Sequence, residues 1–283
     1  MIREGLVSQR LSERLELPIV VSVPHAGLVV PEERRELMML PQNIFLRDVD
    51  FEIHQMWQSA CAALDITFIK AESHRYAIDL NRQSDQVDAA TVRDHSRPAG
   101  TVTRGLFWTK STQNEGLGRG GQDFRPLDPE VAAALVANVW SPYHAALSAA
   151  LERVRARHGF AMLIDGHSMP SLGTKFHADP LSERPDIVPG NFHGHSELVG
   201  LTKQCVQTAT SAGFSVKVND PYAGGGITQR FGQPDRSLHA LQIEVKRSLY
   251  MNEDSKALIL PGLQRLQAFA LTFLSRVGEL SPS

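Results

Sequence analysis

The apolar positions of this chain fall into short solid runs separated by stretches with a helical stripe. Pro18-Ile19-Val20-Val21-Ser22-Val23 is a β-branched run that stops at Pro24-His25-Ala26-Gly27, which predicts a buried strand ending in a turn. Over residues 50–64 the spacing changes: Ile53, Trp57 and Cys61 recur every four residues with Met56 beside them, the stripe of a helix packed on one face. Residues 66–70 and 76–80 read as two further strands, and Ala161-Met162-Leu163-Ile164-Asp165 as the clearest buried strand, ended by Gly166-His167-Ser168. Helical patterns cover residues 128–158, with Pro142 as an interruption or boundary, and residues 196–212 and 257–277. Residues 215–218 and 241–245 predict strands, and Gly224-Gly225-Gly226 a loop that is flexible or turns tightly. Residues 93–126 carry six glycines with little periodicity, including those at Gly116, Gly118, Gly120 and Gly121, so a long loop is expected there. Strands alternating with helices, with no internal repeat and no linker, predict one α/β domain over residues 1–283. Its central sheet should be mixed, mostly parallel and flanked by helices.

Composition narrows the partners. A formal net charge of -2, and no basic stripe interleaved with aromatics, argues against nucleic acid and against an anionic membrane surface. The N-terminal residues lack the apolar centre of a signal peptide, and no segment has about 18 uninterrupted apolar residues, so a cytoplasmic location with no membrane partner is expected. Cys61 and Cys205 lack CxxC spacing and read as reduced, packed thiols. A monomer or small homo-oligomer acting on a small molecule fits this profile, and any affinity for a charged substrate must come from local arrangement.

Polar groups stand where the apolar runs stop or are interrupted, and in an open α/β sheet such groups converge beyond the carboxyl ends of the strands. His25 follows the first run; taken alone it is as readily a hydrogen-bonded turn residue as a metal ligand. His167 follows Asp165 by two residues, which places Asp165 to orient the imidazole of a metal ligand, or leaves both as a capped strand end. Asp48 and Asp50 precede the Trp57 stripe, either as helix caps or as the carboxylate that completes a site of two histidines and one acid. In Asp79-Leu80-Asn81-Arg82, Arg82 can fork onto a substrate carboxylate or a developing oxyanion and Asn81 can donate an amide hydrogen; a surface turn is the alternative. Arg75, Arg230 and Arg236 are further candidates to bind anions. Glu244 interrupts an apolar strand, where a charge is costly unless paired or functional. It is a general base beside an activated water, or the ion-pair partner of Lys246 or Arg247.

Taken in order, these pieces resemble the N-formylglutamate amidohydrolase family. The resemblance rests on Val23-Pro24-His25-Ala26-Gly27, Asp48-Val49-Asp50, His74-Arg75-Tyr76-Ala77-Ile78-Asp79-Leu80-Asn81-Arg82, Pro142-Tyr143-His144-Ala145-Ala146-Leu147, Ile164-Asp165-Gly166-His167-Ser168, Gly224-Gly225-Gly226-Ile227-Thr228 and Leu241-Gln242-Ile243-Glu244-Val245 through Leu249-Tyr250-Met251. That family is in turn similar to zinc carboxypeptidases and aspartoacylase-type deacylases, which implies a zinc-exopeptidase-like (phosphorylase/hydrolase-like) fold. It implies Zn2+, or another divalent metal, on His25 and His167, with Arg82 helping to bind substrate and Glu244 as the base. Those relatives carry a glutamate three residues after the first histidine, where this chain has Leu28. The third ligand must come from elsewhere: Asp50, with Asp48 in reserve. The implied reaction is hydrolysis of an N-acyl amino acid, N-formyl-L-glutamate first, with Asn81, Arg82 and Arg75 or Arg230 holding the substrate. The rivals are a carboxypeptidase or a deacylase for a larger acyl group, whose pocket the loop at residues 116–121 would shape, and a non-catalytic binding protein on the same fold.

Overall fold

A computed structural model of the protein describes residues 5–87, 91–94, 104–118, 126–175, 177 and 179–282. Its centre is a sheet of six strands: β1 (Val7–Arg10), β2 (Ile19–Val23), β3 (Thr67–Ala71), β4 (Ala161–Met169), β5 (Ile187–Gly190) and β6 (Leu238–Lys246), in the order β1-β3-β2-β4-β6-β5. The neighbours β3, β2, β4 and β6 run parallel, and β1 and β5 close the two edges antiparallel. The helices are α1 (Gln42–Phe45), α2 (His54–Ala63), α3 (Pro129–Leu135), α4 (Ser141–His158), α5 (Leu201–Ser211), α6 (Gly226–Phe231) and α7 (Leu260–Val277). Among the described residues no helix is long and apolar enough to cross a membrane.

The two faces of the sheet follow the alternation of side chains along each strand. Ile19, Val21 and Val23 of β2 face a cluster with Trp57 and Cys61 of α2 and with Leu266, Phe269 and Phe273 of α7. Val20, with Leu163 of β4 and Ala240 of β6, faces Tyr143, Leu147 and Leu151 of α4 on the other side. Parallel strands covered on both sides need solid apolar runs, and every residue of β2 and β4 is buried.

Three expectations shift. Residues 76–80 are not a strand but a chain of turns, in which Ala77 N donates to His74 O and Arg82 N to Asp79 O at 2.9 and 3.2 Å. Their apolar side chains are buried by packing rather than by pairing. The strand expected to end at Asp165 instead runs on to Met169, because β6 stays in register as far as Met169↔Lys246. Gly166 marks crowding there rather than a strand end: a Cβ on it would sit 2.3 Å from the Trp57 indole nitrogen. Residues 215–218 make a single bridge, Ile187↔Val216. Pro142 is a boundary, in the first turn of α4, directly after a π-helical turn at Val136–Trp140. Part of the glycine-rich loop expected over residues 93–126, including residues 119–121 of its 116–121 segment, lies outside the described residues.

Candidate metal centre

The carboxyl ends of β2, β4 and β6 bring three distant segments together. His25 lies two residues beyond β2, His167 is two residues before the end of β4, and Asp50 N donates to His25 O at 2.9 Å, which ties the approach to α2 onto the end of β2. All three side chains are buried, and one ligand atom from each lies within 4.8 Å of the others. Asp50 Oδ2 is 3.6 Å from His25 Nδ1 and 3.2 Å from His167 Nδ1. Ligand atoms on a tetrahedron with ~2.1 Å bonds stand about 3.4 Å apart, so these spacings suit a small divalent cation.

Each of the three has its far side held. His25 Nε2 donates to Asp79 Oδ1 at 2.7 Å and His167 Nε2 to Asp165 Oδ2 at 3.0 Å. In both rings this turns Nδ1 toward the centre, the arrangement that fixes the tautomer of a metal-ligating histidine once a metal is bound. Asp165 does this from two residues back on the same strand face, as the spacing predicts. Asp50 Oδ1 accepts from Ser168 Oγ and from Arg247 Nη2, both at 3.1 Å, so Oδ2 is the oxygen left for a ligand role. Burial alone would raise the Asp50 carboxyl, but hydrogen bonds and charge from His167 and His25 outweigh it and hold the group well below the usual range. Burial likewise opposes a charge on His167, and the neighbouring Asp165 and Asp50 overcome it, pushing the imidazole well above its ordinary value. The centre thus favours positive charge, and its two nitrogens and one carboxylate oxygen fit a divalent metal.

Asp48, the reserve ligand, is placed differently. Its carboxylate accepts from Tyr76 Oη at 2.6 Å, from Thr112 N at 2.9 Å and from the Thr112 hydroxyl. It is not among the three groups placed to hold a metal.

Glu244 lies directly across from His167 in the register of β4 and β6. Neither expected cation pairs with it: Lys246 Nζ reaches Asp186 at 2.7 Å, and Arg247 goes to Asp50. Among the described residues its one hydrogen bond comes from Gln242 Nε2 at 3.0 Å, two residues back on the same face. Burial pushes its carboxyl above the ordinary range. A buried, cation-free carboxylate beside a metal site is a proton acceptor of raised basicity.

These groups line a cavity of about 450 Å³ together with Arg75, Asn81, Arg82, Arg104, Trp108, His177 and Tyr222. The three arginines expected to bind anions have different surroundings. Arg75 lines the cavity, but its guanidinium is engaged: Nη2 donates to Asp79 Oδ2 at 3.0 Å and Nη1 to Asp48 O at 2.7 Å, with the group 4.6 Å over the Trp108 ring. It steadies the carboxylate behind His25. Arg230 is exposed, 5.0 Å over the Trp140 ring, and outside the cavity lining. Arg236, also outside it, bonds Gln233 at 3.0 Å. Asn81 is largely structural: Oδ1 accepts from Ile227 N at 2.8 Å and Nδ2 lies 3.4 Å from Gln242 Oε1. Arg82 spends Nε on Arg104 O at 3.1 Å and lines the cavity. Sequence reasoning missed the parts played by Asp79, Ser168 and Arg247. Asp79 belongs to the polar turn already singled out, but a contact across 54 residues has no local signature.

A larger cavity of about 1110 Å³ shares Thr112, Pro170 and Arg247 with the first.

The sequence profile of the N-formylglutamate amidohydrolase family matches residues 17–251. A protein named N-formylglutamate deformylase from Pseudomonas putida is 32% identical over 244 residues, covering 84% of this chain and 83% of its own length. A deformylase of the same name from Pseudomonas aeruginosa is 29% identical over 246 residues, 86% and 85% of the two chains. In fold, the crystal structure of N-formylglutamate amidohydrolase from Ralstonia eutropha JMP134 superposes with a TM-score of 0.83 at 24% identity, over 96% of this chain and 98% of that one. With a profile that spans most of its length and a buried set of ligating groups inside that span, the chain belongs to the N-formylglutamate amidohydrolase family.

Proposed function

We propose that this protein hydrolyses N-formyl-L-glutamate to formate and L-glutamate, as one zinc-exopeptidase-like catalytic domain over residues 1–283. The observation that carries the reading is Glu244: a buried carboxylate with no cation paired to it among the described residues, in register with His167 and beside a cluster that could hold a metal. His25, Asp50 and His167 are the proposed ligands, and zinc is the proposed ion, because two imidazoles and one carboxylate are a common catalytic zinc set. The bound cation supplies Lewis acidity, acidifying water and polarising the formyl oxygen.

The chain's own groups do the rest. Glu244 takes a proton from the attacking water at a carboxylate oxygen and delivers it to the departing amine nitrogen. Raised basicity suits that exchange, since the same group must accept and then release the proton. Gln242 holds the carboxylate in place. Arg82 binds the substrate carboxylate next to the scissile amide. Asp79 and Asp165 keep the two imidazoles in the ligating tautomer.

The adjoining cavity leaves room for a longer acyl group, so a deacylase for larger acids is the second reading. Released acid separates the two. With N-formylglutamate, N-acetylglutamate and N-succinylglutamate as substrates, formate should dominate, and its release should stop on chelation and return with zinc. Glu244→Gln keeps the shape and loses the proton acceptor. It should fold and keep its metal while turnover falls roughly 100-fold or more. Full activity in a metal-loaded Glu244→Gln would overturn the mechanism.

A further inference from the structure

Four guanidinium groups, on Arg75, Arg82, Arg104 and Arg247, and four carboxylates, on Asp48, Asp50, Asp79 and Glu244, line the cavity among the described residues. Two of the arginines are consumed by the fold, Arg75 on Asp79 and Arg247 on Asp50, both within 3.1 Å. Arg184, behind Tyr222, is chelated by Asp179 at 2.7 and 2.8 Å. Arg82 and Arg104 have no carboxylate partner among the described residues. The guanidinium of Arg104 makes no hydrogen bond there either, although its residue is half-buried. A desolvated cation without an anion is costly, and a ligand carboxylate removes that cost.

The two guanidiniums without an anion sit on adjoining residues: Arg82 Nε donates to Arg104 O at 3.1 Å, so the two residues form one wall. Arg82 N donates to Asp79 O at 3.2 Å and Asp79 Oδ1 holds His25 Nε2 at 2.7 Å, which puts Arg82 beside the metal ligands. Arg104, joined to them through Arg82, lines the cavity one residue further along that chain of contacts. The lining is balanced in charge, so a divalent cation at the ligands leaves it two positive charges in excess.

We infer that Arg104 is a specificity-determining residue that binds the side-chain carboxylate of the substrate, while Arg82 binds the carboxylate beside the amide. The inference rests on the hydrolase reading above and selects, within N-formyl amino acids, those with a second, distal carboxylate. Formylglutamate carries both negative charges, and formylglutamine has nearly the same shape with one.

The test measures kcat and KM for both substrates in the zinc-loaded wild type, Arg104→Gln, Arg104→Lys and Arg82→Gln. The wild type should prefer formylglutamate. In Arg104→Gln that preference should fall roughly 10- to 100-fold, the scale of one lost charge-assisted hydrogen bond, and mostly through KM. Arg104→Lys should retain part of it, and Arg82→Gln should weaken both substrates alike. Because the preference is a ratio within one preparation, partial misfolding does not change it. A preference that survives in Arg104→Gln, a loss that appears in Arg82→Gln alone, or a wild type indifferent to the distal carboxylate would overturn the Arg104 assignment and leave the hydrolase standing. A wild type that releases formate from neither substrate would overturn both.

Discussion

Asp48 and Asp50 stand two residues apart on the approach to α2, and both are buried, at 4% and 1% exposure. Around Asp48 the chain supplies three donors, from Tyr76 and from the backbone and side chain of Thr112, and both carboxylate oxygens are used. Around Asp50 it supplies donors to one oxygen only, from Ser168 and Arg247, and the other oxygen faces two imidazole nitrogens. The first arrangement fastens the segment at Thr112 to the floor of the cavity. The second leaves an acceptor pointing at two imidazole nitrogens, where a cation fits between them. Burial and residue type are the same in the two regions, so what separates an anchor from a ligand is the number of acceptors the fold leaves open.

The largest effect that tests this contrast is on metal content. Asp50→Ala should lose most bound zinc and with it activity, whereas Asp48→Ala should bind close to one equivalent. Retained metal in the first and loss in the second would reverse the assignment. A smaller effect is expected at Arg247, whose guanidinium holds Asp50 Oδ1 and also donates to Ser168 Oγ at 3.0 Å and Arg47 O at 2.8 Å. Arg247→Met frees the second oxygen of Asp50, and zinc affinity, read by competition with a chelating dye, should drop roughly 10- to 100-fold. An unchanged affinity would mean that the geometry of Asp50 is set by the backbone alone. The smallest effect concerns stability. Asp48→Ala removes the acceptor of Thr112 N and Tyr76 Oη, and should cost about 1–3 kcal/mol in denaturant unfolding at full zinc occupancy. A loss of zinc without a loss of stability would contradict the anchoring role.

The same logic says what was legible in the sequence. Strands β2 and β4 are covered on both faces, and solid runs such as Ile19-Val20-Val21 reveal them, while β6 shows through the alternation Leu241-Gln242-Ile243-Glu244-Val245. Edge strands do not need such runs. β1 reads Val7-Ser8-Gln9-Arg10 and β5 contains Pro189 and Gly190, so neither has a pattern to find. Residues 76–80 have the apolar run without the pairing, because their side chains pack into two clusters while the backbone turns. At the site, His25, His167 and Glu244 are legible as polar residues at or within apolar strands, which is unusual enough to notice. Asp50 is legible only as one of a pair, since the choice depends on Thr112, a contact across 64 residues. Arginines are the least legible. Arg75, Arg230 and Arg247 look alike in sequence, yet one braces Asp79, one stacks on Trp140 at the surface and one holds Asp50. Arg104 comes from a loop with no periodicity at all.

The most direct test of the account is the position of the metal itself. In crystals grown with zinc, anomalous scattering at the zinc edge should give one peak at bonding distance, about 2.0–2.2 Å, from His25 Nδ1, His167 Nδ1 and Asp50 Oδ2. A peak on Asp48, on the Nε2 atoms, or anywhere away from this cluster would contradict it.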